Sequence, residues 1–150
     1  MSQQTTEVVI EKSVVVSVPV EEAFRVFTEG IRTWWPLRTH AVDPKTAETV
    51  ILEGQKGGRM FERTPAGEHL WGTVVTWEPP SRIGYTWHPG RDEETAQEVE
   101  ILFTPEGDGT RVDLRHWGWE KFGDRMKGVV ADYDEGWEVV IGKYVERANG

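Results

Sequence analysis

The chain has 150 residues, a net charge of −9 and no cysteine. That length suits one domain with a proper core. The acidic balance excludes a general nucleic-acid surface or an anionic-lipid surface, both of which need a basic stripe, and the missing thiols exclude disulfides, cysteine-based metal sites and a cysteine nucleophile.

Residues 1–6 read as a loose tail, and "MSQQTTEVVIEK" is too polar for a signal peptide. No apolar run is long enough to span a bilayer, so a cytoplasmic protein is expected. "EVVIEKSVVVSV" (7–18) is β-branched and reads as a first strand that Pro19 ends. "VEEAFRVFTEGIRTWW" (20–35) then has a helical period through Phe24, Phe27 and Ile31. Gly30 divides it into two short helices, and Pro36 forbids continuation while holding Trp35 extended.

After the loop "PLRTHAVDPKTAE" come strand-like runs separated by turn signals: "TVILEG", "RMFER", "HLWGTVVTWE", "RIGYTWH", "AQEVEILFT" and "TRVDLRHWGW". Their short connections, "PEGDG" among them, imply antiparallel neighbours. The last element, "DYDEGWEVVIGKYVERA" (132–148), carries an apolar stripe of Tyr133, Trp137, Val140, Ile141, Tyr144 and Val145. Asp132 and Glu135 resemble a capping box there. Gly136 and Gly142 each weaken the helix by about 1 kcal/mol and would let it approach the sheet closely. The expected fold is α+β. A curved antiparallel sheet of about six to seven strands wraps a long C-terminal helix, with two short helices after strand 1. A curved sheet and a helix fit imperfectly, so a cavity between them is expected.

Strand alternation assigns the inward side chains. Ile83, Tyr85 and Trp87 share one face, as do Val99, Ile101 and Phe103, and Val112, Leu114 and His116. On "HLWGTVVTW" the face of Trp71, Thr73, Val75 and Trp77 is taken as inward, because exposing two tryptophans on one strand is costly. Eight tryptophans against three tyrosines and five phenylalanines is an unusual ratio, and each buried indole N–H needs a partner. An aromatic-lined cavity accommodates that density. Adjacent Trp34 and Trp35 cannot both point inward from one regular element. One is expected to plug the end of the core and the other to line or lid the cavity mouth.

These stretches, in order, resemble the helix-grip (START-like, SRPBCC) superfamily and, within it, the family of the activator of the heat-shock-protein-90 ATPase. "VPVEEAFRVFTEGIRTWWP" is similar to that family's entry helix and tryptophan corner. "GGRMFE" followed by "WGTVVTWEPPSRIGYTW" is similar to its central strands. "VEILFTPEGDGTRVDLRHWGW" resembles its hairpin, and "DEGWEVVIGKYVE" its C-terminal helix. The resemblance implies the helix-grip fold over one domain, 1–150. It leaves function open, because this scaffold hosts many functions.

Three functional classes follow. The first is binding of a small apolar or aromatic molecule between sheet and helix, with Trp35, Trp71, Trp77, Tyr85, Trp87, His116 and Trp137 as candidate binding residues. The second is the co-chaperone role that the family name implies; the resemblance covers only the C-terminal-type domain of the eukaryotic activators. The third is a cyclase, dehydratase or hydrolase, for which His116, then Glu62 or Tyr85, would be the acid or base. His116 also reads as a buried histidine satisfied by a backbone or tyrosine partner. No histidine pair has metal-ligand spacing, and "GQKGGR" lacks a phosphate-loop ending, so no metal or other cofactor is expected. Arg59, Arg63, Arg82 and Arg115 are expected to pair with Glu62, Glu78, Glu100 or Asp113 on the outer face. A homodimer is compatible with all three classes.

Overall fold

The computed structural model describes residues 8–150; the expected tail and the opening residue of the first strand lie outside the described residues. β1 (Ile10–Val16) leads into α1 (Val20–Phe27) and a 3-10 turn, Ile31–Thr33. Then follow β2 (Thr49–Leu52), β3 (Arg59–Thr64), β4 (Gly67–Glu78), β5 (Arg82–Trp87), β6 (Gln97–Glu106) and β7 (Gly109–Trp117). A 3-10 segment, Trp119–Arg125, opens onto α2 (Met126–Asn149).

The seven strands form one antiparallel sheet in the order β1-β7-β6-β5-β4-β3-β2. It curls into a half-barrel around α2, the helix-grip arrangement. The chain closes onto itself by pairing β1 with β7 and laying α2 against β1 and α1. Inward alternation holds on β5, β6 and β7: Ile83, Tyr85, Trp87, Val99, Ile101, Phe103, Val112, Leu114 and His116 are all buried. On α2, Trp137, Val140, Ile141 and Tyr144 are buried against the sheet, as their spacing requires.

β4 departs from alternation. Its pairing slips twice, against β3 around Trp71 and against β5 around Val75. Each slip gives β4 one extra residue, a β-bulge that changes which side chains face in. Trp71 and Val74 are therefore buried while Val75 is exposed, which corrects the expected inward placement of Val75. Trp77 regains the inward face only beyond the second bulge, opposite Ile83. Gly72 sits where the backbone of β5 comes closest. A Cβ there would lie 1.8 Å from the Thr86 carbonyl oxygen, so only glycine permits this pairing.

Two further differences concern α2 and the outer face. The helix starts at Met126, six residues before the expected Asp132, which is therefore not an N-cap. The early turns were hidden because residues 119–131 carry no clean apolar period. Gly118, at φ +100°, turns the chain out of β7 so that Trp119 folds back beneath it; the Trp119 indole donates to the His116 carbonyl at 3.0 Å. On the outer face Arg82 and Arg115 both reach Glu100, and Arg59 and Arg63 both reach Glu68. Glu62 is not among these pairs; it points inward and is fully buried. Phe61, its neighbour, takes the outer side under the guanidinium of Arg59, 4.3 Å from the ring centre.

Candidate functional site

The cavity lies where the curl of β4 and β5 opens away from α2. It has a volume of about 390 Å³. Four tryptophans line it: Trp35 from the corner, Trp71 from β4, Trp87 from the end of β5 and Trp137 from α2. Their rings touch in sequence, with centroids 5.0 Å apart for Trp35 and Trp71, 5.6 Å for Trp71 and Trp87, and 5.7 Å for Trp87 and Trp137. His40, Val42, Pro89, Tyr133 and Gly136 complete the rim. Such tilted and edge-on contacts are the preferred aromatic geometries.

The corner "RTWWPLRTH" builds one wall. Trp34 and Trp35 are both buried, at 6% and 7% exposure, which corrects the expectation that only one could turn inward. The 3-10 turn ends at Trp34 with the backbone in an irregular conformation, φ −133° and ψ −19°, so successive side chains reach different parts of the interior. Trp34 packs on Phe27 and Tyr144 in the core and donates to the Val26 carbonyl at 2.8 Å. Trp35 packs on Trp71 and Trp87 and donates to the His40 carbonyl at 2.7 Å. Trp34 thus lies in the core and Trp35 on the cavity wall.

Glu62 anchors the Trp71 part of the wall and the rim loop beside it. Its Oε1 accepts from the Trp71 indole at 2.8 Å and from the Val42 amide at 2.6 Å, and its Oε2 from the Asp43 amide at 2.9 Å. One buried carboxylate therefore fixes both a cavity tryptophan and the rim loop. Charge-assisted bonds of this kind are about twice as strong as neutral ones. Arg38 stiffens the same loop by donating to the Pro44 and Lys45 carbonyls at 2.8 and 3.1 Å. The sequence hides this arrangement, because Glu62 lies between two arginines on a strand, the pattern of an outer-face ion pair.

His116 and Tyr85 lie one layer behind the wall. His116 is fully buried, and its Nδ1 accepts from the Trp137 indole at 2.9 Å. Its partner is thus neither the backbone nor a tyrosine. With Nδ1 accepting, the proton sits on Nε2, which has no partner. Burial, and secondarily the charge of Arg91, lowers its pKa to about 3. Tyr85 is also fully buried, its hydroxyl is unpaired, and burial pushes its pKa up. Trp77 is away from this cavity. It packs on Phe24, with centroids 5.1 Å apart, in a separate groove with Leu52 and Pro80. Of the seven candidate residues the fold brings Trp35, Trp71, Trp87 and Trp137 to one wall, sets Tyr85 and His116 behind it, and sends Trp77 elsewhere. Sequence reasoning missed His40 and Tyr133 as lining residues, and it offered Glu62 as an outer-face ion-pair partner or a pocket acid or base, not as the anchor of Trp71 and the rim loop. Tyr133 was legible only as part of a helical stripe, and burial lowers the pKa of loop-borne His40.

A family model described as Activator of Hsp90 ATPase homolog 1-like protein matches residues 17–146. The chain belongs to this family. Among solved structures, the anthrahydroquino-gamma-pyrone synthase Txn09 is 35% identical with a TM-score of 0.58, covering 85% of this chain and 88% of that one. The self-sacrificing resistance protein CalC from Micromonospora echinospora is 25% identical with a TM-score of 0.72, and 93% of each chain is covered. The Aha1 dimer from Colwellia psychrerythraea is 16% identical with a TM-score of 0.71, over 95% of this chain and 96% of that one, a likeness of fold alone. No curated protein matches the chain. Among the described residues no helix is long and apolar enough to cross a membrane, and no group of three or more His, Cys, Asp or Glu is placed to hold a metal ion.

Proposed function

We propose that this member of the family binds a planar, fused-ring aromatic molecule in the tryptophan-lined cavity. The observation that carries the reading is that four indoles from four separate segments face one void. Flat, polarizable walls suit a flat, polarizable guest. The volume falls within the range of small-molecule sites, about 300–1,000 Å³. One relative, 35% identical, is named as a synthase of an anthrahydroquino-gamma-pyrone, which supports the same reading.

Titrating the purified protein with 9,10-anthraquinone and following tryptophan emission tests the reading. Saturable quenching that weakens in Trp137→Phe and Trp35→Phe but not in Trp77→Phe is expected. Absence of quenching in the folded wild-type protein overturns it and favours a protein-interaction role, which size-exclusion chromatography with and without the purified chaperone then examines.

A further inference from the structure

The cavity is chemically lopsided. At the Trp71 end the Glu62 carboxylate is occupied by three donors. At the Tyr133 end the arrangement is reversed: two buried N–H groups have no acceptor, and a cation has only neutral partners.

That cation is Arg91, which follows the rim residues Pro89 and Gly90. Its guanidinium donates to the carbonyl and hydroxyl of Thr95 at 2.9 and 3.0 Å, to Gln97 Oε1 at 2.8 Å, and to the Trp87 carbonyl and the Tyr133 hydroxyl, both at 3.5 Å. Every one of these partners is uncharged. Arg91 takes part in none of the ion pairs among the described residues. In a chain with 26 acidic and 17 basic residues, carboxylates are not scarce. Asp92, Glu93 and Glu94 follow directly in sequence, yet all three are exposed. The charge of Arg91 is instead felt inside: it contributes to the lowered pKa of His116.

Tyr133 links this charge to the cavity. Its ring is part of the wall, and its oxygen takes an N–H from Arg91, which leaves the phenolic proton free to be donated. Behind it, the Trp87 and His116 N–H groups at the same end are also without acceptors. The other three cavity indoles all have theirs.

We propose that this end of the cavity receives an ionised oxygen, carboxylate or phenolate, on the aromatic ligand. The Tyr133 hydroxyl is the donor on the wall and the Arg91 guanidinium is the charge behind it. The inference rests on the aromatic-binding reading above and narrows it to acidic aromatics.

Anthraquinone-2-carboxylate and its carboxamide test it, because they share ring and size and differ in charge. Wild-type protein is expected to bind the carboxylate about tenfold more tightly, equivalent to about 1.4 kcal/mol. Arg91→Gln should bring the ratio near one, Arg91→Lys should keep most of it, and Tyr133→Phe should lower it. A ratio near one in wild type, or an unchanged ratio in Arg91→Gln, overturns the inference and leaves the cavity reading intact. Binding of neither compound sinks both. If Arg91→Gln does not fold, Tyr133→Phe decides, and an unchanged ratio there overturns the inference.

Discussion

The indole of Trp137 donates its N–H to Nδ1 of His116 across 2.9 Å, fixing an α2 residue to the last strand of the sheet. That bond exists only while Nδ1 is unprotonated. A second proton would set N–H against N–H in a fully buried site where His116 has no ion-pair partner among the described residues. Burial therefore lowers the His116 pKa from 6.5 to about 3.

The sign of the consequence is fixed by linkage. Below pH 6.5 the unfolded chain takes up a proton at this position and the folded protein does not, so stability falls as pH falls. The slope approaches about 1.4 kcal/mol per pH unit near pH 5 and falls off toward pH 6.5 and pH 3. Urea unfolding at a series of pH values checks it. His116→Gln should be less stable at pH 7 but flatter in this window. An equally steep curve in the variant would assign the acid sensitivity to other groups.

Glu62→Gln should loosen the rim. An amide in place of the carboxylate keeps one acceptor oxygen and puts an NH₂ group against a donor, so at least one of the three donors now bound loses its partner. A buried donor left unsatisfied costs about 1–3 kcal/mol. The predicted loss of stability is in that range, and the amides of Val42 and Asp43 should exchange faster with solvent. Unchanged exchange at these two amides would show that Arg38, not Glu62, holds the loop.

How far the sequence reaches can be seen at particular residues. Alternation placed Tyr85, Val99 and His116 correctly because β5, β6 and β7 pair without slips. It failed at Val75 because a bulge is a property of two strands together and leaves no mark in the composition of one. The tryptophan corner was legible because Pro36 and two adjacent bulky rings permit few local conformations. Glu62 was not, since its three donors come from residues 42, 43 and 71, brought together only by the fold. Trp71, Trp87 and Trp137 were readable as inward-facing. Their convergence with Trp35 on one void depends on the curl of the sheet, which no single strand encodes.

Gly142 lies within α2 with nothing within 4 Å of a Cβ placed on it. It does not serve a close approach to the sheet, contrary to the sequence-based expectation. Gly142→Ala should therefore stabilise the protein by up to about 1 kcal/mol through helix propensity, seen as a raised Tm in calorimetry. Gly136→Ala differs, because its Cβ would meet the His40 ring at 3.7 Å on the cavity rim. There, a similar gain in stability with weaker anthraquinone binding is expected. Weaker binding in Gly142→Ala as well would mean that helix stiffness, not rim space, controls entry.

Tyr85→Phe separates a structural hydroxyl from a functional one. The Tyr85 hydroxyl is buried without a partner, and burial raises its pKa, keeping it neutral. Removing an unsatisfied buried polar group relieves a desolvation penalty of about 1–3 kcal/mol, offset by the packing the oxygen provided. The variant is therefore expected to be as stable as wild type or more so in urea. If it is instead destabilised by more than about 1 kcal/mol, the hydroxyl has a partner in solution, such as an ordered water behind the Trp87 ring. Anthraquinone titration of the same variant separates the remaining outcomes: unchanged affinity at unchanged or raised stability assigns Tyr85 to the core, whereas lost affinity at full stability makes the layer behind the wall part of the binding site.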